Sequence, residues 1–392
     1  MQDVVILSAA RTPIGAFQGA LSTIPAPQLG AAALREAIKQ AKLLPEQIDQ
    51  VFMGCVLSAG LGQAPARQAA LAAGCPTSVG AVTLNKVCGS GMRALMTAGN
   101  DIRCGEIKIA TAGGMESMSR APYLAVGARD GLRLGHGKLV DSMIGDGLWD
   151  PYGDKHMGSC AELCAEKYQF SREQQDEFAR ESYRRALEAQ KAGTVNNEIV
   201  PVTVKTRRGE SVVDCDEEPG RARLEKMPRL RPAFKSDGTV TAANASKIND
   251  GAAALVVASA QHAQELNLSP VATLAGQASV AQDPEWFTTA PVAAVRRLLD
   301  SQGLSVDDID LWEVNEAFAV VTMAFVAEMG VDPSLVNVRG GAVALGHPIG
   351  ASGARIVVTL LHAMQQHNVQ RGVATICIGG GEATAVLVER VN

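Results

Sequence analysis

A chain of 392 residues is too long for one ordinary hydrophobic core, so two or three packed units are expected. Apolar residues make up 47% but aromatics only 4%, with 39 glycines, a mixture that suits close-packed helices on buried sheets and excludes a disordered chain. A net charge of -5 beside 36 basic residues gives no general attraction to nucleic acid, and eight cysteines without CxxC spacing fit free cytoplasmic thiols and no metal site.

The chain enters a strand almost at once, over residues 4–8, with no basic, apolar, cleavable leader before it. No run of about 18 uncharged apolar residues appears, so no membrane partner is expected. Short apolar runs then alternate with longer helical patterns, which predicts an α/β architecture with a largely buried sheet. The strands are expected at 4–8, 50–54, 108–112, 254–258, 311–314, 336–338, 375–378 and 384–389. Helices are expected at 27–40, 92–103, 172–192, 290–302, 316–329 and 352–366, the third opening on Ser171 as N-cap.

A weak repeat runs through this pattern. Residues 45–51 leave a helix and enter a strand, and residues 306–312 do the same near the other end. Downstream, Ser90-Gly91-Met92-Arg93 and Ser352-Gly353-Ala354-Arg355 each open a helix leading to a strand that ends in Gly-Gly, at Gly113-Gly114 and Gly379-Gly380. Two similar α/β halves follow from elements recurring in one order. Between them, roughly 118–242, charge increases, glycines scatter through 127–147, and a polar stretch runs through 206–210. An inserted, loop-rich domain is expected there, in the place where scaffolds display substrate sites.

Four residues at strand ends or glycine turns have the makings of a site. Cys88 precedes Gly89-Ser90-Gly91 and a helix start, where free amides and the dipole favour a thiolate. His347 stands between Gly346 and Pro348, on backbone open enough for a base to approach a thiol. Cys377 ends a strand and precedes three glycines whose amides can face an oxyanion. Asn315 ends another strand and either orients a water or caps a helix.

With Asn85-Lys86-Val87-Cys88-Gly89-Ser90-Gly91, Asn315-Glu316-Ala317-Phe318, Gly346-His347-Pro348, Cys377-Ile378-Gly379-Gly380-Gly381 and the Asn244 and Asn249-Asp250-Gly251 blocks, the chain resembles the thiolase family over its full length. It is most like the short-chain acetyl-CoA acetyltransferases, the acetoacetyl-CoA thiolases. The resemblance implies a thiolase-like fold, two βαβαβαββ halves in α-β-α-β-α layers, divided as 1–117 plus 243–267, an inserted 118–242, and 268–392. It implies that Cys88 carries the acyl group, His347 raises its nucleophilicity and Cys377 moves protons at the substrate α-carbon. Asn315 would hold a water that completes one oxyanion hole with His347, and the amides of Cys88 and Gly379 would form the other. Acetyl-CoA, acetoacetyl-CoA and CoA would be substrates, with no separate cofactor, in a homotetramer built as a dimer of dimers and serving lipid metabolism.

Chain-length choice is implied by Lys155-His156-Met157-Gly158, where Met157 would cover the acyl pocket and His156 lie near CoA; Leu148 and Phe318 match further pocket positions. Ser246 matches a pantetheine contact, and Arg221 or Arg223 would meet the CoA phosphates. Two stretches depart from the family. Glu382 follows the second cysteine motif, where its carboxylate would either raise the Cys377 pKa or face solvent. Residues 283–288 lack a common Met-Gly pair. A broader 3-ketoacyl-CoA thiolase of fatty-acid β-oxidation is the alternative enzyme, and a silent acyl-CoA binder the alternative class.

Overall fold

The computed structural model describes residues 2–206 and 209–391; Arg207 and Arg208 of the polar stretch, and the two terminal residues, lie outside the described residues. The first half runs Val4–Arg11, helix Ala26–Gln40, Gln50–Gly54, helix Pro65–Ala73, Gly80–Leu84, helix Ser90–Cys104, Ile109–Ser117 and, after the insertion, Asn249–Ser259. The second half runs Ala272–Ala281, helix Ala290–Gln302, Leu311–Val314, helix Ala319–Met329, helix Ser352–His367, Arg371–Ile378 and Glu382–Arg390. In each half a parallel pair leads into antiparallel neighbours, and the halves join where Val5 and Ile6 pair with Thr273 and Ala272.

Packing explains the layers. Asn249–Ser259 is buried along its whole length and built mostly of Ala, Val and Leu, as a strand covered on both faces must be. Helices Ala26–Gln40 and Pro65–Ala73 cover the outer face of the first half, and Ala290–Gln302 covers the outer face of the second. Ser90–Cys104 and Ser352–His367 lie between the two halves in one buried cluster with Met92, Leu95, Ile356 and Leu360.

These two central helices touch through the repeated Ser-Gly pairs. A Cβ on Gly91 would stand 2.8 Å from the amide nitrogen of Ala354, and one on Gly353 would stand 2.6 Å from that of Met92. Backbone cannot give way as a side-chain tip can, so Gly91→Ala is expected to lower the unfolding free energy by about 2 kcal/mol. An unchanged urea midpoint would show that the helices part freely.

Several boundaries differ from the sequence-based expectation. Residues 336–338 form no strand beyond one bridge between Val336 and Trp312. Asn337, at φ +49°, ends the run and substitutes its side-chain amide for a strand: Oδ1 accepts from the Val314 amide at 2.8 Å and Nδ2 donates to the Val314 carbonyl at 2.9 Å. The helix expected from 316 begins at Ala319, because Phe318 stays extended and bridges to Ala245. Asn315 is therefore no helix cap. Strands Gly80–Leu84 and Ala272–Ala281 and helices Pro65–Ala73 and Met157–Tyr168 were absent from the periodicity reading.

The insertion is more helical than its texture suggests. It carries Met157–Tyr168 and Arg172–Lys191, the latter opened by the reciprocal bonds of Ser171 and Gln174. Buried Arg11 of the first half bonds Glu198 and Asp216 of the insertion, and Glu198 also accepts from Arg339 of the second half. All three parts thus share one buried charge network, and removing a single partner would strand its neighbours.

Candidate active site

Both central helices begin at loops that carry chemistry. Cys88 lies two residues before the Ser90–Cys104 helix on a turn closed by its own polar groups. Ser90 Oγ accepts from the Lys86 amide at 2.8 Å and donates to the Val87 carbonyl at 2.6 Å, while Asn85 Oδ1 accepts from the Val87 amide at 3.0 Å. Val87 is held at φ +43°, a left-handed conformation that costs a β-branched residue about 1–3 kcal/mol. A Cβ on Gly89 would press on the Ile378 side chain of the second half.

Next to that contact, the Cys88 sulfur meets the Gly379 amide. Burial pushes the Cys88 thiol up to about 11, with the Gly379 amide and its own amide pulling the other way. The helix start alone suggested ionisation near neutral pH. In the folded chain the resting group is the thiol, so it must give up its proton as it reacts.

His347 lines the same cavity as Cys88. Its backbone amide donates to Asn249 Oδ1 at 2.9 Å, and Asn249 Nδ2 donates to the Gly15 carbonyl at 3.0 Å. Three residues on, the Gly350 amide donates to Glu116 at 2.9 Å, a carboxylate that also accepts from the Val56 and Leu57 amides. The first half therefore pins the loop of the second. At the ring, Nδ1 lies 2.5 Å from Ser352 Oγ, whose hydroxyl donates to the Pro348 carbonyl at 3.0 Å. Ser352 then accepts from Nδ1–H, and Nε2 is left as a bare acceptor; it is buried with no protein partner. Burial, aided by Arg355, lowers the imidazole to about 3, so it rests neutral.

Cys377 ends Arg371–Ile378 and is fully buried. Its thiol is pushed well above the ordinary value by burial first and by Cys88 second, which sets the two sulfurs within electrostatic reach. Each thiolate opposes the other, so they ionise in turn. Asn315 follows the parallel neighbour strand and donates its amide to the Thr375 carbonyl at 3.0 Å. Its side-chain oxygen and nitrogen are both buried without a protein partner, which is the setting of an ordered water.

A cavity of about 210 Å³ brings most of the candidates together: Cys88, Leu148, His156, Met157, Ser246, Phe318, His347 and Gly379 all line it. Cys377 lies behind it in the cluster of Met157, Phe287 and Phe318. Arg221 is not in this cavity. It lines a second one with Arg223 and Lys226, and Lys247 borders both. Phe234 and Phe287, both edge-on to Phe318 at 6.1 and 6.4 Å, also line the first cavity. Phe234 gave no signal in the sequence, and Phe287 lay in the segment seen to depart from the family. Ser352, Asn249 and Glu116 hold the imidazole loop; only the first two lay in recognised motifs.

The arrangement suits acyl transfer: a nucleophilic thiol, an acceptor imidazole, a second thiol, and amides at the reacting sulfur. Among the described residues no helix is long and apolar enough to cross a membrane.

Residues 4–261 match the family model described as thiolase, N-terminal domain, and residues 268–390 the one described as thiolase, C-terminal domain. Acetyl-CoA acetyltransferases of Pseudomonas aeruginosa and Cupriavidus necator are 52% and 53% identical over 392 residues, covering 100% of both chains in each case. A thiolase from Ascaris suum, solved in complex with coenzyme A, is 48% identical with a TM-score of 0.94 and full coverage of both chains. The Bacillus anthracis acetyl-CoA acetyltransferase has a TM-score of 0.97 at 41% identity, covering 100% of this chain and 99% of its own.

Proposed function

The chain belongs to the thiolase family, and we propose that it is an acetyl-CoA C-acetyltransferase, joining two acetyl-CoA into acetoacetyl-CoA and CoA through an acetyl-Cys88 intermediate, reversibly. The observation that carries this is the cavity bounded by Cys88, His347 and Gly379, with Cys377 directly behind.

Cys88 Sγ attacks the thioester carbon and passes its proton to His347 Nε2, while the amides of Cys88 and Gly379 receive the oxyanion. CoA departs with the proton of Cys377. The Cys377 thiolate, no longer opposed by a Cys88 thiolate, takes an α-proton from the second acetyl-CoA. The enolate oxygen is met by protonated Nε2 and by a water on Asn315. The carbanion attacks acetyl-Cys88, the thioester bond breaks, and the Cys88 sulfur recovers its proton from His347.

Leu148, Met157 and Phe318 bound the acyl end, and His156 and Ser246 flank the pantetheine arm. Arg221, Arg223, Lys226 and Lys247 supply positive charge for the CoA phosphates. CoA thioesters are thus the substrates, and no further cofactor enters the scheme. The division into 1–117 plus 243–267, 118–242 and 268–392 is adopted as the domain plan, supported by the matching order of elements in the two halves. A homotetramer, a dimer of dimers, is proposed, with the part-exposed edge strand Gly80–Leu84 as the sheet contact. We place the enzyme in the cytoplasm and in lipid metabolism.

Aromatic and methionine walls leave little room beyond a short acyl group. Cleavage of an eight-carbon 3-ketoacyl-CoA is expected to run at least about 100-fold below the four-carbon substrate in kcat/KM, with sixteen carbons lower still. Similar rates across those lengths would establish instead a broad thiolase of fatty-acid breakdown.

A further inference from the structure

The nucleophile turn and the Cys377 turn come from opposite halves, yet the reaction needs Cys88 and the Gly379 amide in fixed register. Besides the Cys88 sulfur and the Gly379 amide themselves, the segments 85–89 and 377–382 are joined by the ion pair of Lys86 Nζ with a Glu382 carboxylate oxygen. Lys86 directly precedes the strained Val87 and receives the Gly89 amide on its carbonyl at 3.0 Å. Glu382 directly follows Gly380 and Gly381, at φ +91° and +83°, and opens the strand that pairs with Ile378. Both partners are half-buried, and each sits where its turn meets rigid structure.

We propose that Lys86 and Glu382 are positioning residues, an electrostatic clasp that sets the spacing between the Cys88 sulfur and the Gly379 amide. The proposal rests on the acyl-transfer reading above, since it assigns the pair to that reaction. Glu382 stays partly exposed and is not among the groups that raise Cys377; its charge is paired with Lys86 of the other turn. Gly379 and Ile378 have no side-chain bonds of their own to hold the register. A lysine four carbons long and a glutamate set the gap beside two glycines held in left-handed conformations. Displacements well under an ångström matter at this point, because a misplacement of about 1 Å costs a reaction on the order of 100-fold.

The test uses the full chain. Glu382→Gln is expected to lower kcat for acetoacetyl-CoA cleavage about tenfold with KM nearly unchanged. Alkylation by iodoacetamide, followed at the Cys88 peptide because Cys104 and Cys215 are exposed, is expected to shift to higher pH. The melting temperature should stay within about 2 °C, since a partly exposed pair adds little to stability. Lys86→Met should give the same shifts, and the exchanged pair Lys86→Glu with Glu382→Lys should recover most of the loss. An unchanged alkylation profile and kcat in Glu382→Gln, or an exchanged pair no better than the sum of its parts, would overturn the clasp. If wild type fails to take an acetyl group on Cys88, the acyl-transfer reading itself has failed, and the two outcomes stay separate.

Discussion

Cys88→Ser is expected to lower acetyl transfer by at least about 10⁴-fold, with no acetyl group found on residue 88 by peptide mass spectrometry after incubation with acetyl-CoA. The loss comes from acidity rather than shape. Burial already holds the Cys88 thiol up at about 11, and its acceptor is an imidazole lowered to about 3 that rests uncharged. A hydroxyl starts several units less acidic. The softer sulfur succeeds because it is intrinsically nucleophilic and leaves easily in the return step. Because serine fills almost the same space, the melting temperature should not move. Wild-type-like turnover by this variant would remove the covalent intermediate from the scheme.

Cys377→Ala is expected to divide the reaction. Condensation and cleavage should fall by about 10³-fold, the contribution of a positioned acid–base group, while Cys88 is still acetylated within about tenfold of the wild-type rate. The asymmetry follows from placement. Cys377 is buried behind the cavity, whereas Cys88 lines the cavity itself. A departing CoA thiolate needs little help, but an α-carbon does not lose its proton unaided. The single-turnover acetylation rate and steady-state condensation, measured on one preparation, give the two numbers. Equal losses in both would mean that Cys377 only props up the first site.

Much of this was legible in the chain because chemistry here sits on glycine-rich turns, where few other residues fit. The order of Cys88, Asn315, His347 and Cys377 and the repeated Ser-Gly pairs indicated two halves meeting at a site. The physics of the meeting was not legible. Nothing about Gly91 announces the Ala354 backbone against it, and nothing local to Cys88 reveals the burial that keeps it protonated. Asn337 could not be told from an ordinary strand-end residue, since its amide replaces ladder bonds only once Val314 is alongside. Phe234 escaped notice because an isolated aromatic in a polar, loop-like stretch has no period to betray it. Strands Gly80–Leu84 and Ala272–Ala281 carry small and polar residues that mask alternation.

The amide of Asn337 also has a consequence for how copies of the molecule meet. It seals one margin of the long sheet, while among the described residues no strand pairs with the outer side of Gly80–Leu84 at the opposite margin. A sheet with two free margins could add copies end over end without limit and grow into a filament. With one margin stoppered, the pairing proposed through Gly80–Leu84 would use up the free margin, and growth in that direction would end there.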